Sequence, residues 1–409
     1  MRHRDYCSDT FKSWDEMLQN RLISDDVRVQ SLQSRIKSVI SNRIEEMAST
    51  QIPVTSGVKV QTLNYIVTMK LGGRKMTVIL DTGSDITWVQ CVPCVSCYEQ
   101  QDQLFNPNIS RSYNTIMCDS PTCQSLQFAT GNSGTCGTNQ PTCNYVVNYG
   151  DGSFTQGELA RERLNFGNTV VKNFTFGCGH NNKGLFGGAS GLMGLGRSSL
   201  SLISQTSNKF GGVFSYCLPS TETDTSGSLI LGRTSSNYTP IVYTNMIHNP
   251  QLSTFYFLNL TSLTIGGVNI RTPGFAMGGI LIDSGTVITR LVPSVYKALK
   301  TEFLKQFSGY PSAPAFSILD TCFNLTGYEE VDIPTLKFEF EDFVHVAVDV
   351  SGMFYFVKTD ASQVCLALSS LSYEDEVGII GNYQQKNLRV VYDTKASKLG
   401  FAKETCSYK

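Results

Sequence analysis

The sequence predicts a mostly β chain with two cores, preceded by a helical N-terminal arm. Three observations carry that prediction. From Leu63 onward apolar residues alternate with a period of two, a seven-residue motif occurs twice 202 positions apart, and 409 residues at 41% hydrophobic exceed one ordinary domain.

The arm comes first. Leu22, Ile23, Val29, Leu32, Ile36, Val39, Ile40, Ile44 and Met47 recur at roughly helical spacing, with no Gly or Pro before Pro53, so residues 1–56 are expected to form a separate amphipathic segment. Between Arg21 and Arg43 it carries five bases (Arg21, Arg28, Arg35, Lys37, Arg43) against two acids (Asp25, Asp26). A pro-segment would use such a cation to pair with an ionised carboxylate until acid weakens the pair. A solvated helix with incidental charge accounts for the same pattern. Met1-Arg2-His3-Arg4-Asp5 leads into no apolar signal-peptide core, so a leader is expected to be missing from this sequence.

Strands follow. Leu63, Tyr65, Val67, Met69 and Leu71 alternate, Gly72-Gly73 turns the chain, and Met76, Val78 and Leu80 alternate back, so a hairpin delivers Asp81 to its loop. Asp81-Thr82-Gly83-Ser84-Asp85-Ile86-Thr87 is then matched by Asp283-Ser284-Gly285-Thr286-Val287-Ile288-Thr289, which follows Ile280-Leu281-Ile282. The shared pattern is Asp, hydroxyl, Gly, hydroxyl, one free position, Ile, Thr. Between the copies, residues 145–149 and those from Phe154 read as strands around a Gly150-Asp151-Gly152 turn. After the second copy a helix is expected near Pro293, with Val295, Leu299 and Phe303 on one face and Gly309 beyond its end. Ser235-Ser236-Asn237 and Asn249-Pro250 interrupt the strand patterns, giving expected units at 57–240 and 241–409.

The duplicated motif points to a paired-acid site. A single Asp-Thr-Gly-Ser is more often an ordinary turn whose Asp bonds its own backbone. Two copies that also agree at Ile86/Ile288 and Thr87/Thr289 exceed what turn formation requires. Two carboxylates about 4 Å apart repel by on the order of 4 kcal/mol at an effective dielectric near 20, roughly three pKa units of splitting, so they share one proton. The ionised partner can take a proton from water while the neutral one donates to a scissile carbonyl, without metal or covalent nucleophile. Gly83 and Gly285 let each loop turn tightly, and the hydroxyls of Thr82, Ser84, Ser284 and Thr286 can hold the acids in place.

These residues resemble the pepsin-like aspartic proteases over about residues 60–406. Trp88, seven positions after Asp81, Tyr149-Gly150-Asp151-Gly152-Ser153, Gly191-Leu192-Met193-Gly194-Leu195-Gly196 and Gly378-Ile379-Ile380-Gly381-Asn382 all fit that family's pattern. Seven cysteines between the first Asp loop and residue 149 (Cys91, Cys94, Cys97, Cys118, Cys123, Cys136, Cys143), and Asp151 in place of the pepsin-like Thr, resemble the plant nepenthesin type. The resemblance implies a bilobal fold with Asp81 and Asp283 catalytic and Gly83, Ser84, Gly285 and Thr286 orienting them. It further implies that Tyr149, Gly150 and Asp151 form a flap over an extended peptide, with Trp88 bonded to Tyr149. On their own, Tyr149 and Trp88 also read as strand and core aromatics, and His180 and His345 as structural residues. Eight bases and eight acids in the arm depart from the strongly basic pro-segments of pepsin relatives.

Composition narrows partners and compartment. A net charge of −1 without charged blocks disfavours nucleic acid and anionic membrane, and no apolar run reaches the ~18 residues of a membrane helix. Thirteen cysteines with only four His, none near the cysteine-rich stretch, favour disulfides over zinc, so no metal or other cofactor is expected. Losing Cys7 with the arm leaves an even twelve, enough for six bridges; the family resemblance implies one between Cys322 and Cys365. Sequons at Asn108, Asn173, Asn237, Asn259 and Asn324 suit a secreted, apoplastic or vacuolar glycoprotein. The expectation is a monomeric acid endopeptidase acting on polypeptides. One competing reading is a catalytically silent relative that binds and inhibits glycoside hydrolases. The other is a disulfide-rich carbohydrate-binding protein, which leaves the duplicated Asp loops unexplained.

Overall fold

The computed structural model describes residues 48–138, 141–220, 226–233, 240–249, 252–272, 275 and 279–406. Residues 1–47 of the expected 1–56 arm, Cys7 among them, and the Asn237 sequon lie outside them.

Strands dominate the described residues, as one network of twenty paired strands and two four-stranded sheets. The hairpin comes first: Tyr65–Leu71 pairs antiparallel with Arg74–Asp81, from Ile66↔Ile79 to Leu71↔Arg74. Gly72 and Gly73 close it at φ 56° and 83°, a left-handed region open to glycine at little cost. The Gly191–Gly194 strand runs parallel to the hairpin's second strand, with Gly194 opposite Asp81. In the second half, Gly378–Ile380 runs parallel to Ile280–Ile282. Each Asp thus leaves the end of an apolar strand buried beside a Gly-bounded parallel neighbour.

These two β-rich lobes share a central sheet. Its strands run Thr50–Ser56, Gly227–Leu231, Val213–Cys217, Leu388–Asp393, Lys398–Lys403 and Val242–Ile247, all antiparallel. The seam is the pairing of Val213–Cys217 with Leu388–Asp393. Phe214 stacks on Tyr392 there, ring centroids 4.4 Å apart. Buried Arg389 donates to both Glu404 carboxylate oxygens at 2.8 and 2.9 Å and to Ser228 Oγ at 2.8 Å.

The first strand of this sheet corrects the expected end of the arm. Thr50–Ser56 lies inside the 1–56 segment, yet it pairs with Gly227–Leu231 and with Tyr65–Leu71. The reason is local: Pro53 opposes helix, and Ile52 and Val54 alternate into the core while their neighbours face out.

Six disulfides tie the described chain: Cys91–Cys178, Cys94–Cys97, Cys118–Cys136, Cys123–Cys143, Cys217–Cys406 and Cys322–Cys365. The helix Pro293–Gln306 starts on proline and buries Val295, Tyr296, Leu299 and Phe303 against the second lobe. No helix among the described residues is long and apolar enough to cross a membrane.

Candidate active site

The two Asp loops meet. Thr82 N–H donates to Ser284 Oγ at 3.1 Å, and Ser284 N–H donates to Thr82 Oγ1 at 2.9 Å, a reciprocal pair spanning 202 residues. Ser284 Oγ donates onward to Leu80 O at 2.9 Å. Both hydroxyl residues are fully buried, so each unpaired partner would carry a desolvation penalty. The middle hydroxyls therefore bind loop to loop, while the outer pair, Ser84 and Thr286, serves the acids.

Each carboxyl is held the same way. Asp81 Oδ1 accepts the Gly83 N–H at 2.9 Å and its Oδ2 accepts Ser84 Oγ. Asp283 Oδ1 accepts the Gly285 N–H at 2.8 Å and its Oδ2 accepts Thr286 Oγ1 at 2.7 Å. Thr82 Oγ1 also reaches Asp283 Oδ1 at 3.4 Å.

The glycines show how close the acids come. A Cβ on Gly83 would lie 2.7 Å from Asp283 Oδ2, and one on Gly285 would lie 2.2 Å from Asp81 Oδ1 and 3.3 Å from Asp283 Oδ1. Each loop's glycine faces the other loop's acid. The Asp81 and Asp283 oxygens flank one missing methyl, so they lie within reach of a single small molecule such as water. Burial, then the neighbouring Asp283 charge, pushes the Asp81 carboxyl well above its ordinary range, against the opposing pull of its Ser84 and Gly83 bonds.

The expected hairpin is present. Cys143–Asn148 pairs with Phe154–Phe166 around the tip, where Tyr149 N–H donates to Ser153 O at 2.8 Å and Gly152 sits at φ 83°. Trp88 Nε1 donates to Tyr149 Oη at 2.7 Å. Asp151 turns inward to the turn itself, accepting Ser153 N–H at 2.9 Å and Ser153 Oγ at 2.8 Å. Its carboxylate stiffens the tip, and Gly150 has nothing near the side it would use for a Cβ.

Two features escaped the sequence reading. Phe186 packs edge-on against Trp88 and Tyr149 at centroid distances of 5.1 and 5.8 Å, so the hairpin's Tyr is braced by an aromatic 37 residues downstream. Asp85, read as the motif's free position, is buried and accepts the Ser198 N–H at 2.7 Å. Burial raises its carboxyl to about 7, despite that bond. A buried acid at the position where the second copy has Val287 was the available signal.

Comparison with known proteins places this geometry in context. Residues 65–233 match the family described as xylanase inhibitor N-terminal, and residues 255–403 match xylanase inhibitor C-terminal. An aspartyl protease family protein of Arabidopsis thaliana is 43% identical over 390 residues, 94% of this chain and 81% of the relative. Aspartic proteinase nepenthesin-1 of Nepenthes gracilis is 36% identical over 377 residues, 89% of this chain and 83% of the relative. Among solved structures, basic 7S globulin from soybean superposes with a TM-score of 0.69 at 19% identity, covering 88% of this chain and 99% of that one, a likeness of fold.

Proposed function

The chain belongs to the pepsin-like aspartyl protease family, and from that membership we propose that it is an aspartic endopeptidase hydrolysing peptide bonds at acid pH through a water held between Asp81 and Asp283. The observation that carries the reading is the crossed fit of Gly83 against Asp283 and Gly285 against Asp81, which brings each acid up against the other's loop. The pair holds a single proton. Its ionised carboxyl takes a proton from water as the oxygen attacks the peptide carbonyl, and its neutral carboxyl donates to the carbonyl oxygen. On collapse of the tetrahedral intermediate the protonated carboxyl gives its proton to the leaving amine while the other takes one from a hydroxyl of the gem-diol, so the pair again holds a single proton. Gly83 N–H, Ser84, Gly285 N–H and Thr286 fix the carboxyls, and the Tyr149–Gly152 tip, braced by Trp88, closes over an extended polypeptide.

In this reading the lobes divide at 240/241, and the six disulfides suit an oxidising compartment, secreted or vacuolar. The competing reading, a silent inhibitor of glycoside hydrolases, draws on the match to the xylanase inhibitor families. Both Asp-hydroxyl-Gly-hydroxyl motifs are complete here, which favours catalysis. Cleavage of an unfolded protein at pH 3 to 5, blocked by pepstatin and lost in Asp81→Asn and Asp283→Asn separately, is the expected result. Xylanase inhibition without proteolysis would support the competitor.

A further inference from the structure

The turn after the Gly378–Ile380 strand, Asn382-Tyr383-Gln384-Gln385-Lys386-Asn387, is almost wholly polar. It is nonetheless buried, with Asn382 at 0%, Gln384 at 2% and Gln385 at 1% exposure. Amide side chains withdrawn from water need hydrogen-bond partners. Several of theirs lie on the second Asp loop, and others on Gly352 O, Ala367 O and Ile380 O.

Asn382 N–H donates to Thr286 O at 2.7 Å and Tyr383 N–H to Val287 O at 3.1 Å. Asn382 Nδ2 donates to Ser284 O at 3.0 Å, and Gln385 Nε2 to Asp283 O at 3.2 Å. Gln384 Oε1 accepts Thr289 N–H at 3.3 Å and Thr289 Oγ1 at 2.5 Å. The first loop is held differently: Asp81 O and Ser84 O take backbone N–H groups from Leu195 and Gly196 at 2.8 and 2.9 Å.

The same amides reach into the other lobe. Asn382 Nδ2 also donates to Asn64 Oδ1 at 3.2 Å, a bond across 318 residues. Gln385 Oε1 accepts Tyr216 Oη, which shares a further bond of 2.8 Å with Tyr392 Oη. The backbone carrying the Asp283 side chain is therefore referenced, through two neutral amides, to residues of the first lobe.

We propose that Asn382 and Gln385 are positioning residues that fix the Asp283 carboxyl relative to Asp81 and make that spacing depend on the packing of the lobes. This rests on the reading of Asp81 and Asp283 as a water-activating pair. Without the amide donors, the Asp283 and Ser284 carbonyls lose their side-chain partners, and the peptide planes can tilt about the remaining Asp283 N–H and Ser284 N–H bonds, carrying the carboxyl with them. A drift from about 4 to about 5 Å weakens the mutual repulsion enough to bring the two apparent pKa values together by about half a unit.

The test uses the full chain, with active sites counted by pepstatin titration. Gln385→Met keeps the volume and removes the donor; we expect turnover to fall about tenfold or more with KM unchanged, and the two limbs of the pH profile to approach by about half a pH unit. Gln385→Glu is the rescue and the fallback if the first variant does not fold. Its protonated carboxyl can donate to Asp283 O as the amide does, so turnover should match wild type at low pH and fall as that carboxyl ionises. Wild-type turnover and profile width in folded Gln385→Met, or a uniform loss at every pH in Gln385→Glu, would overturn the proposal. If Asp81→Asn and Asp283→Asn are inactive while the Gln385 variants behave as wild type, only this inference falls; if those Asn variants stay active, the underlying reading falls with it.

Discussion

Gly285→Ala isolates the central geometry with one methyl group. That methyl would sit 2.2 Å from Asp81 Oδ1, more than 1 Å inside the 3.4 Å at which ordinary contact begins. Asp81 has little freedom to yield, because its two oxygens are pinned by Gly83 N–H and Ser84 Oγ. Relief must come from moving one loop away from the other. A displacement of about 1 Å at reacting groups costs on the order of a hundredfold in rate, so kcat should fall by about that factor or more. Gly309→Ala is the matched control, since nothing lies within 4 Å of its Cβ position. It should be neutral or slightly stabilising. Cleavage of an unfolded protein at pH 3 to 5, normalised to pepstatin-titrated sites, measures both, and thermal melts confirm folding. Near-wild-type kcat in folded Gly285→Ala would refute the claim that the acids approach across this glycine.

Three further outcomes are expected. Burial raises Asp85 from its ordinary 3.8 to about 7 in the folded state, so its contribution to stability is full below about pH 4 and is lost as pH rises toward 7. The loss is on the order of 4 kcal/mol, and Asp85→Asn should flatten the fall in Tm between pH 4 and 7; an unchanged slope by calorimetry would show that Asp85 does not cause it. Glu404→Gln removes the carboxylate that accepts two donors of the buried Arg389 guanidinium and should cost about 3 kcal/mol in urea unfolding. Trp88→Phe removes the donor to Tyr149 Oη and should lower kcat/KM about tenfold, with a fall in melting temperature because Trp88 is fully buried; unchanged kcat/KM in the folded variant would make Trp88 a packing residue only.

Sequence reading reached furthest where information was local or repeated. Gly72-Gly73 between two alternating runs fixes a hairpin by short-range sterics, and Asp81 and Asp283 stand out because their loops match in residue or residue type at six of seven positions rather than one. The reading stopped where burial is decided by distant chain. Asn382, Gln384 and Gln385 look solvated in a window of ten residues; their partners include Asp283, Ser284 and Thr289, some hundred positions earlier, and Asn64 and Tyr216, farther still. Asp85 sits at a position the duplicated motif leaves unconstrained, and its partner, the Ser198 N–H, is 113 residues away. Thr50–Ser56 was assigned to the arm because Leu and Ile spacing dominated the preceding stretch, whereas its strand neighbours at 227–231 carry no local mark.

The bridge between Cys217 and Cys406 has a bearing on how the molecule survives its own environment. It joins the two halves covalently, alongside the pairing of Val213–Cys217 with Leu388–Asp393. A nick in the connection between the Gly227–Leu231 and Val242–Ile247 strands would therefore yield two polypeptides that stay attached and aligned. A two-chain product would migrate as one species until reduced, and it would keep its cleft intact.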